Sequence, residues 1–131
     1  MSSIQPPLRR ILRAAIRQWI SRDRVLPDFL IIGAQKCGTT SLLHYLNHHP
    51  QVVPAAVKEV HFFDTLHHKG VDWYRSFFPT KAAMDRRRAR LGKPVMTGEA
   101  TPCYLMHPHA PRRMAEVVPN AKLIALLRDP V

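Results

Sequence analysis

The sequence predicts an α/β fold with a parallel sheet, on three observations. A continuous apolar run, Phe29-Leu30-Ile31-Ile32, ends at Gly33; a glycine-bounded loop leads from it into a helix; and strand-like and helix-like segments then alternate toward Val131. An apolar run without polar alternation is how a strand buried on both faces reads. Helical crossovers between successive strands make those strands parallel.

The elements follow in order. Leu8, Ile11, Leu12, Ala15, Ile16, Trp19 and Ile20 form one stripe of an α-helix, with Pro6 and Pro7 at its start and Arg9, Arg10, Arg13 and Arg17 off the stripe. Docking on its own domain is the expected arrangement of this helix, with an anionic bilayer surface as the alternative. After the first strand, Thr39, Thr40 and Ser41 open a second helix with Leu42, Leu43 and Leu46 inward, which stops before Pro50. Lys58 to Asp64 is aromatic-rich and reads as extended. Gly70 to Phe78 and Lys81 to Leu91 read as helices, and the arginines at 86, 87, 88 and 90 as a solvated face. Val95 to Gly98 is a second strand, Pro108 to Val118 a helix with Ala110, Met114, Val117 and Val118 inward, and Lys122 to Leu127 a third strand. Residues 1–26 form a basic extension and residues 27–131 the domain proper.

The 131 residues, 46% of them apolar, suffice for one packed domain. A formal net charge of +11 points to an anionic partner without selecting one. Cys37 and Cys103 are the only cysteines. They form neither a disulfide framework nor a zinc spacing, so free thiols in a reducing, cytoplasmic setting are expected, peripheral to a membrane if the first helix binds one. No apolar stretch approaches the roughly 20 residues of a membrane span, and no signal-peptide pattern stands at the N-terminus. The eight histidines show no ligand spacing with carboxylates or thiolates, and no metal is expected.

The loop between the first strand and the second helix carries the chemistry. Such a loop presents backbone N–H groups and the positive end of a helix dipole, and its glycines let an anion approach closely. Gly33 and Gly38 have the separation of the Walker A pattern, but Thr39 stands where its lysine belongs and Lys36 lies inside the loop instead. That departure speaks against the competing reading of a P-loop kinase or NTPase. A basic, non-enzymatic anion-binding module is the other alternative; nucleic acid is not an expected partner, because no aromatic-basic recognition motif is present.

Gly33-Ala34-Gln35-Lys36-Cys37-Gly38-Thr39-Thr40-Ser41 resembles the 5′-phosphosulfate loop of sulfotransferases that use 3′-phosphoadenosine 5′-phosphosulfate, particularly the heparan sulfate branch. The resemblance continues in the family's order through Lys58-Glu59-Val60-His61-Phe62-Phe63-Asp64, Gly98-Glu99-Ala100-Thr101-Pro102-Cys103-Tyr104-Leu105 and Leu126-Leu127-Arg128-Asp129-Pro130, over residues 28 to 131. It implies a P-loop-like, three-layer α/β fold with this donor as co-substrate, lying across the carboxyl ends of the strands. It also implies roles. Lys36 contacts the leaving phosphate, and Gly33, Gln35, Cys37, Gly38, Thr39, Thr40 and Ser41 complete the donor loop. Glu59 is the catalytic base, with His61, on the same side of an extended segment, orienting it or the acceptor. Arg128 grips the 3′-phosphate.

Each role has a plainer counterpart: an exposed loop lysine, a surface glutamate, a structural histidine, a salt-bridged arginine. Glu59 beside an aromatic run is expected to feel desolvation favouring its protonated form. Ala100 departs from several polysaccharide-modifying relatives, which carry lysine there, and this weakens any transfer of their substrate. The acceptor is left open among glycans, lipids and small molecules. The family's fold continues past Val131, so the chain is expected to be a fragment, incomplete at its C-terminus and with little activity of its own.

Overall fold

The computed structural model describes residues 8–129. Three parallel strands, β1 (Phe29–Gly33), β2 (Gly98–Ala100) and β3 (Lys122–Ala125), form one sheet in the order β2-β1-β3. Phe29 is in register with Gly98 on one side and Lys122 on the other. The helices are α1 (Leu8–Ser21), α2 (Thr39–Asn47), α3 (Val71–Arg75), α4 (Lys81–Leu91) and α5 (Ala110–Val117), with 3-10 turns at His67–Lys69 and Pro102–Leu105.

The two faces of β1 feed two cores, as its unbroken apolar sequence requires. Leu30 packs with Val60, Phe62, Phe63, Tyr74, Phe78, Tyr104 and Met114. Phe29 and Ile31 point the other way, to Leu43 of α2, Val52 and Ala100. Aromatic rings dominate the first core: Phe62 stacks on Tyr74 at 4.4 Å between centroids, and Phe63 meets Tyr104 edge-on at 5.4 Å. This core holds the Phe62-Phe63 pair, and with it the segment that carries Glu59 and His61.

Central β1 must let its neighbours approach closely. A Cβ on Gly33 would stand 2.7 Å from Leu105 Cβ, and one on Gly98 would stand 2.5 Å from the Phe29 ring. Glycine is therefore required at both places, where the 3-10 turn crosses the end of β1 and where β2 begins.

Several predicted elements are shifted. The second strand starts at Gly98 rather than Val95, because Met96 pairs with the chain at Gln51 and Val53 instead of with β1. The helix expected over Gly70 to Phe78 covers only Val71–Arg75, and β3 ends at Ala125. Lys58 to Asp64 is loop and turn, not extended chain. The apolar stripe of α1 is docked only at its C-terminal end, where the helix meets α3 and Ser21 is buried; further back Leu8 is 85% exposed, Leu12 60% and Trp19 74%. Pro6 and Pro7 lie outside the described residues, as does Pro130.

Candidate active site

The site lies at the carboxyl end of the sheet, and β1 builds its first wall. Beyond Gly33 the chain turns through Ala34–Gly38, closed by Cys37 N–H donating to Ala34 O. Lys36 (φ 59°) and Gly38 (φ 91°) are both left-handed. At Gly38 this conformation costs little, and it starts α2 without any side-chain cap on the first N–H groups. A helix that opens on uncapped N–H groups behind a glycine offers an anion the dipole's positive end and unobstructed donors. Lys36, Thr40 and Ser41 are exposed there, and Thr39 is buried.

The second wall is the segment 58–64. Lys58 Nζ donates to Thr40 Oγ1 of the phosphate-type loop and lies 3.5 Å from Glu59 Oε1. Glu59 Oε2 lies 3.1 Å from His61 Nε2, and His61 Nδ1 lies 2.9 Å from Asp64 Oδ2. Lys58, Glu59, His61 and Asp64 thus form a continuous chain of charge-assisted contacts running from the loop into the core, where Asp64 is buried. Glu59 faces Lys58 and His61, not the aromatic rings, so the apolar environment expected from its neighbours in sequence is absent. Partial burial disfavours the imidazolium of His61. The Asp64 hydrogen bond and charge, followed by those of Glu59, outweigh it and raise its pKa above 6.5.

His61 does meet Glu59, but not by strand alternation. Its φ of 56° is left-handed. The backbone there is held by side chains instead of a neighbouring strand. Val60 N–H donates to Glu99 Oε2 (3.1 Å) and Thr101 Oγ1 (3.2 Å), His61 N–H to Thr101 Oγ1 (3.4 Å), and Phe62 N–H to Tyr104 Oη (3.0 Å). Three successive amides are thereby bound by side chains of the β2 segment.

Glu99 is the centre of that clamp. Fully buried, its carboxylate accepts from Tyr74 Oη (2.6 Å), Thr101 Oγ1 (2.7 Å) and Tyr104 Oη (2.8 Å) as well as Val60 N–H. Desolvation raises its pKa, against the opposing pull of these hydrogen bonds. Burial and the Glu99 charge push both tyrosine hydroxyls upward as well.

The remaining predicted residues fall at the same edge of the sheet. Gln35 Nε2 donates to Cys103 Sγ at 3.2 Å. Pairing of β1 with the third strand continues past Ala125, through Leu126 N–H to Gly33 O and Ala34 N–H to Leu126 O, and Arg128, two residues on, is exposed. Lys58, Asp64, Glu99 and Thr101 were not assigned roles from sequence. The i,i+3 spacing of His61 and Asp64 was the one local signal; Glu99 is distant in sequence from what it holds. Among the described residues, His61, Asp64 and Cys103 place one nitrogen, oxygen or sulfur donor each within 4.8 Å of one another, a spacing that could hold a metal ion.

The family described as sulfotransferase domain matches residues 26–131. The membrane-associated sulfotransferase kil1 of Dictyostelium discoideum is 39% identical over 106 residues, 81% of this chain and 21% of that protein. The heparan sulfate glucosamine 3-O-sulfotransferase 3B1 of Mus musculus is 42% identical over 109 residues, 83% of this chain and 25% of that protein. Among solved structures, a sulfotransferase from Alicyclobacillus acidocaldarius superposes with a TM-score of 0.53 at 32% identity, covering 77% of this chain and 44% of that one. The chain thus spans less than half the length of each of these proteins.

Proposed function

This chain belongs to the sulfotransferase domain family, and from that premise we propose that it carries the donor loop and catalytic base of an enzyme moving a sulfuryl group from 3′-phosphoadenosine 5′-phosphosulfate to an acceptor hydroxyl or amine. One observation carries the reading. Glu59 lies between His61 and Lys58, and Lys58 itself contacts Thr40 of the loop. Proton acceptor and donor-binding loop are thus tied into one array.

In this mechanism Glu59 takes the proton of the acceptor as the acceptor atom bonds to sulfur. The bond from sulfur to the leaving phosphate oxygen breaks with its electron pair staying on that oxygen. Lys36, the N–H groups of the loop and the start of α2 neutralise the charge that develops there, as in phosphoryl transfer. His61, held by Asp64, fixes the Glu59 carboxylate in position. Arg128 binds the 3′-phosphate, and Gly33, Gln35, Cys37, Gly38, Thr39, Thr40 and Ser41 line the donor site. Gly38 leaves the α2 N–H groups open, with nothing within 4 Å of where a Cβ would stand, which suits a bulky anionic donor.

The acceptor is a glycan, a lipid or a small molecule. Two free, half-buried cysteines favour a reducing compartment, and exposed α1 favours a position peripheral to a membrane. Transfer from radiolabelled donor to a panel of glycans, lipids and phenols tests the reading. Label that enters an acceptor and is lost on Glu59→Gln supports it; transfer undiminished by that change contradicts it.

A further inference from the structure

α1 leaves its apolar side chains in solvent. Leu8 is 85% exposed, Ile11 55%, Leu12 60%, Ile16 48% and Trp19 74%. Their spacing places them on one stripe of the helix, a contiguous apolar ridge of the kind that soluble surfaces rarely leave uncovered. The helix stands before the family match, which begins at residue 26. It is therefore an addition to the shared domain.

The exit of α1 is fixed to the body. Lys81 N–H donates to Asp23 O at 2.6 Å, Val25 N–H to Pro79 O at 3.1 Å, Arg24 Nη1 to Phe78 O at 2.6 Å and Arg75 Nη1 to Arg24 O at 3.2 Å. The ridge is thus presented by an anchored element.

Charge selects the occupant. Arg9, Arg10, Arg13 and Arg17 stand among the apolar positions, and no acidic residue precedes Asp23. Arg9, Arg10 and Arg13 are exposed. A second copy of the chain would bring this uncompensated positive charge against itself. An anionic bilayer surface satisfies both features at once, taking the apolar ridge and Trp19 at the level of the headgroups while the arginines meet phosphate and carboxylate groups. No helix among the described residues is long and apolar enough to cross a membrane. We propose that α1 docks flat on an anionic phospholipid bilayer and holds the domain at that surface.

This inference deepens the peripheral location proposed above but rests on α1 alone, and its test reads no sulfuryl transfer, so either reading can fail without the other. The chain is sedimented with vesicles of phosphatidylcholine, with and without phosphatidylserine, while Trp19 fluorescence is followed against a Trp19→Phe control. Binding to the phosphatidylserine vesicles with a blue shift is expected, weakening as salt rises. Each arginine at the surface contributes about fivefold in partitioning, so Arg9→Gln/Arg10→Gln/Arg13→Gln is expected to weaken binding about a hundredfold. Leu12→Asp/Ile16→Asp, at positions already in solvent, is expected to abolish it with the unfolding curve of the domain unchanged. Absent binding, equal binding to both vesicle types, binding that survives both sets of substitutions, or self-association through α1 without vesicle binding would overturn the proposal.

Discussion

The N–H of Val60 donates to the buried carboxylate of Glu99 at 3.1 Å, joining positions 39 residues apart in sequence. Val60 adjoins Glu59, so β2 sets the backbone from which Glu59 and His61 project. Removing the carboxylate by Glu99→Ala strands two tyrosine hydroxyls and the Thr101 hydroxyl in the core. A loss on the order of 3–5 kcal/mol is expected in denaturant unfolding. Glu99→Gln is expected to lose about 1–2 kcal/mol, because an amide NH₂ cannot accept from all of these donors. Equal stability of the alanine variant and the parent would show the clamp to be idle.

Titration has a definite sign. The folded-state pKa of Glu99 is raised above 4.5, so only between 4.5 and the folded value does the native state hold a proton that the unfolded chain has released. Its contribution to stability is full below 4.5 and fades as pH rises through the folded pKa. Unfolding free energy measured across the acidic range is expected to show this downward component, and Glu99→Gln to remove it.

His61 titrates above its ordinary 6.5 because Asp64 and Glu59 hold the imidazolium, whereas burial and then the Arg113 charge depress His67 below that value. Imidazole proton resonances followed against pH are expected to separate the two. Asp64→Asn is expected to bring the His61 midpoint down. The contribution of His61 to stability is present below 6.5 and lost as pH rises through its folded pKa; that of His67 is lost as pH falls through its own. A His61 midpoint unmoved by Asp64→Asn would contradict the contact.

Close approach at Gly98 gives a packing prediction. A methyl there meets both the ring and the carbonyl of Phe29 at 2.5 Å. Gly98→Ala is expected to cost about 1–3 kcal/mol in thermal unfolding. Gly92→Ala tests the contrasting case, since a Cβ at Gly92 meets nothing within 4 Å and pays only for φ 63°. A smaller loss, about 1 kcal/mol, is expected there.

Much of this was legible in the sequence where the signal was local. The Phe29–Gly33 run predicted a strand buried on both faces because periodicity reports burial directly, and α4 begins and ends where Lys81 and Leu91 placed it. The glycine-bounded loop between β1 and α2 was legible from glycine spacing. What escaped depends on contacts distant in sequence. Met96 was lost to the edge chain at Gln51 and Val53, and the left-handed turn at His61 is imposed by Thr101 and Glu99, which nothing near His61 announces. The α1 stripe predicted an amphipathic helix correctly. Amphipathicity cannot say what covers the stripe, and among the described residues Leu8, Leu12 and Trp19 stay exposed.

The central claim is that the loop from Gly33 to Ser41 binds the phosphosulfate end of a sulfuryl donor with Lys36 on its leaving phosphate. Calorimetric titration with 3′-phosphoadenosine 5′-phosphate and with ATP, on the parent and on Lys36→Ala, tests it most directly. Preference for the former, with affinity falling about tenfold or more in Lys36→Ala, is the predicted result. Equal affinity for both nucleotides, or binding indifferent to Lys36, would contradict it.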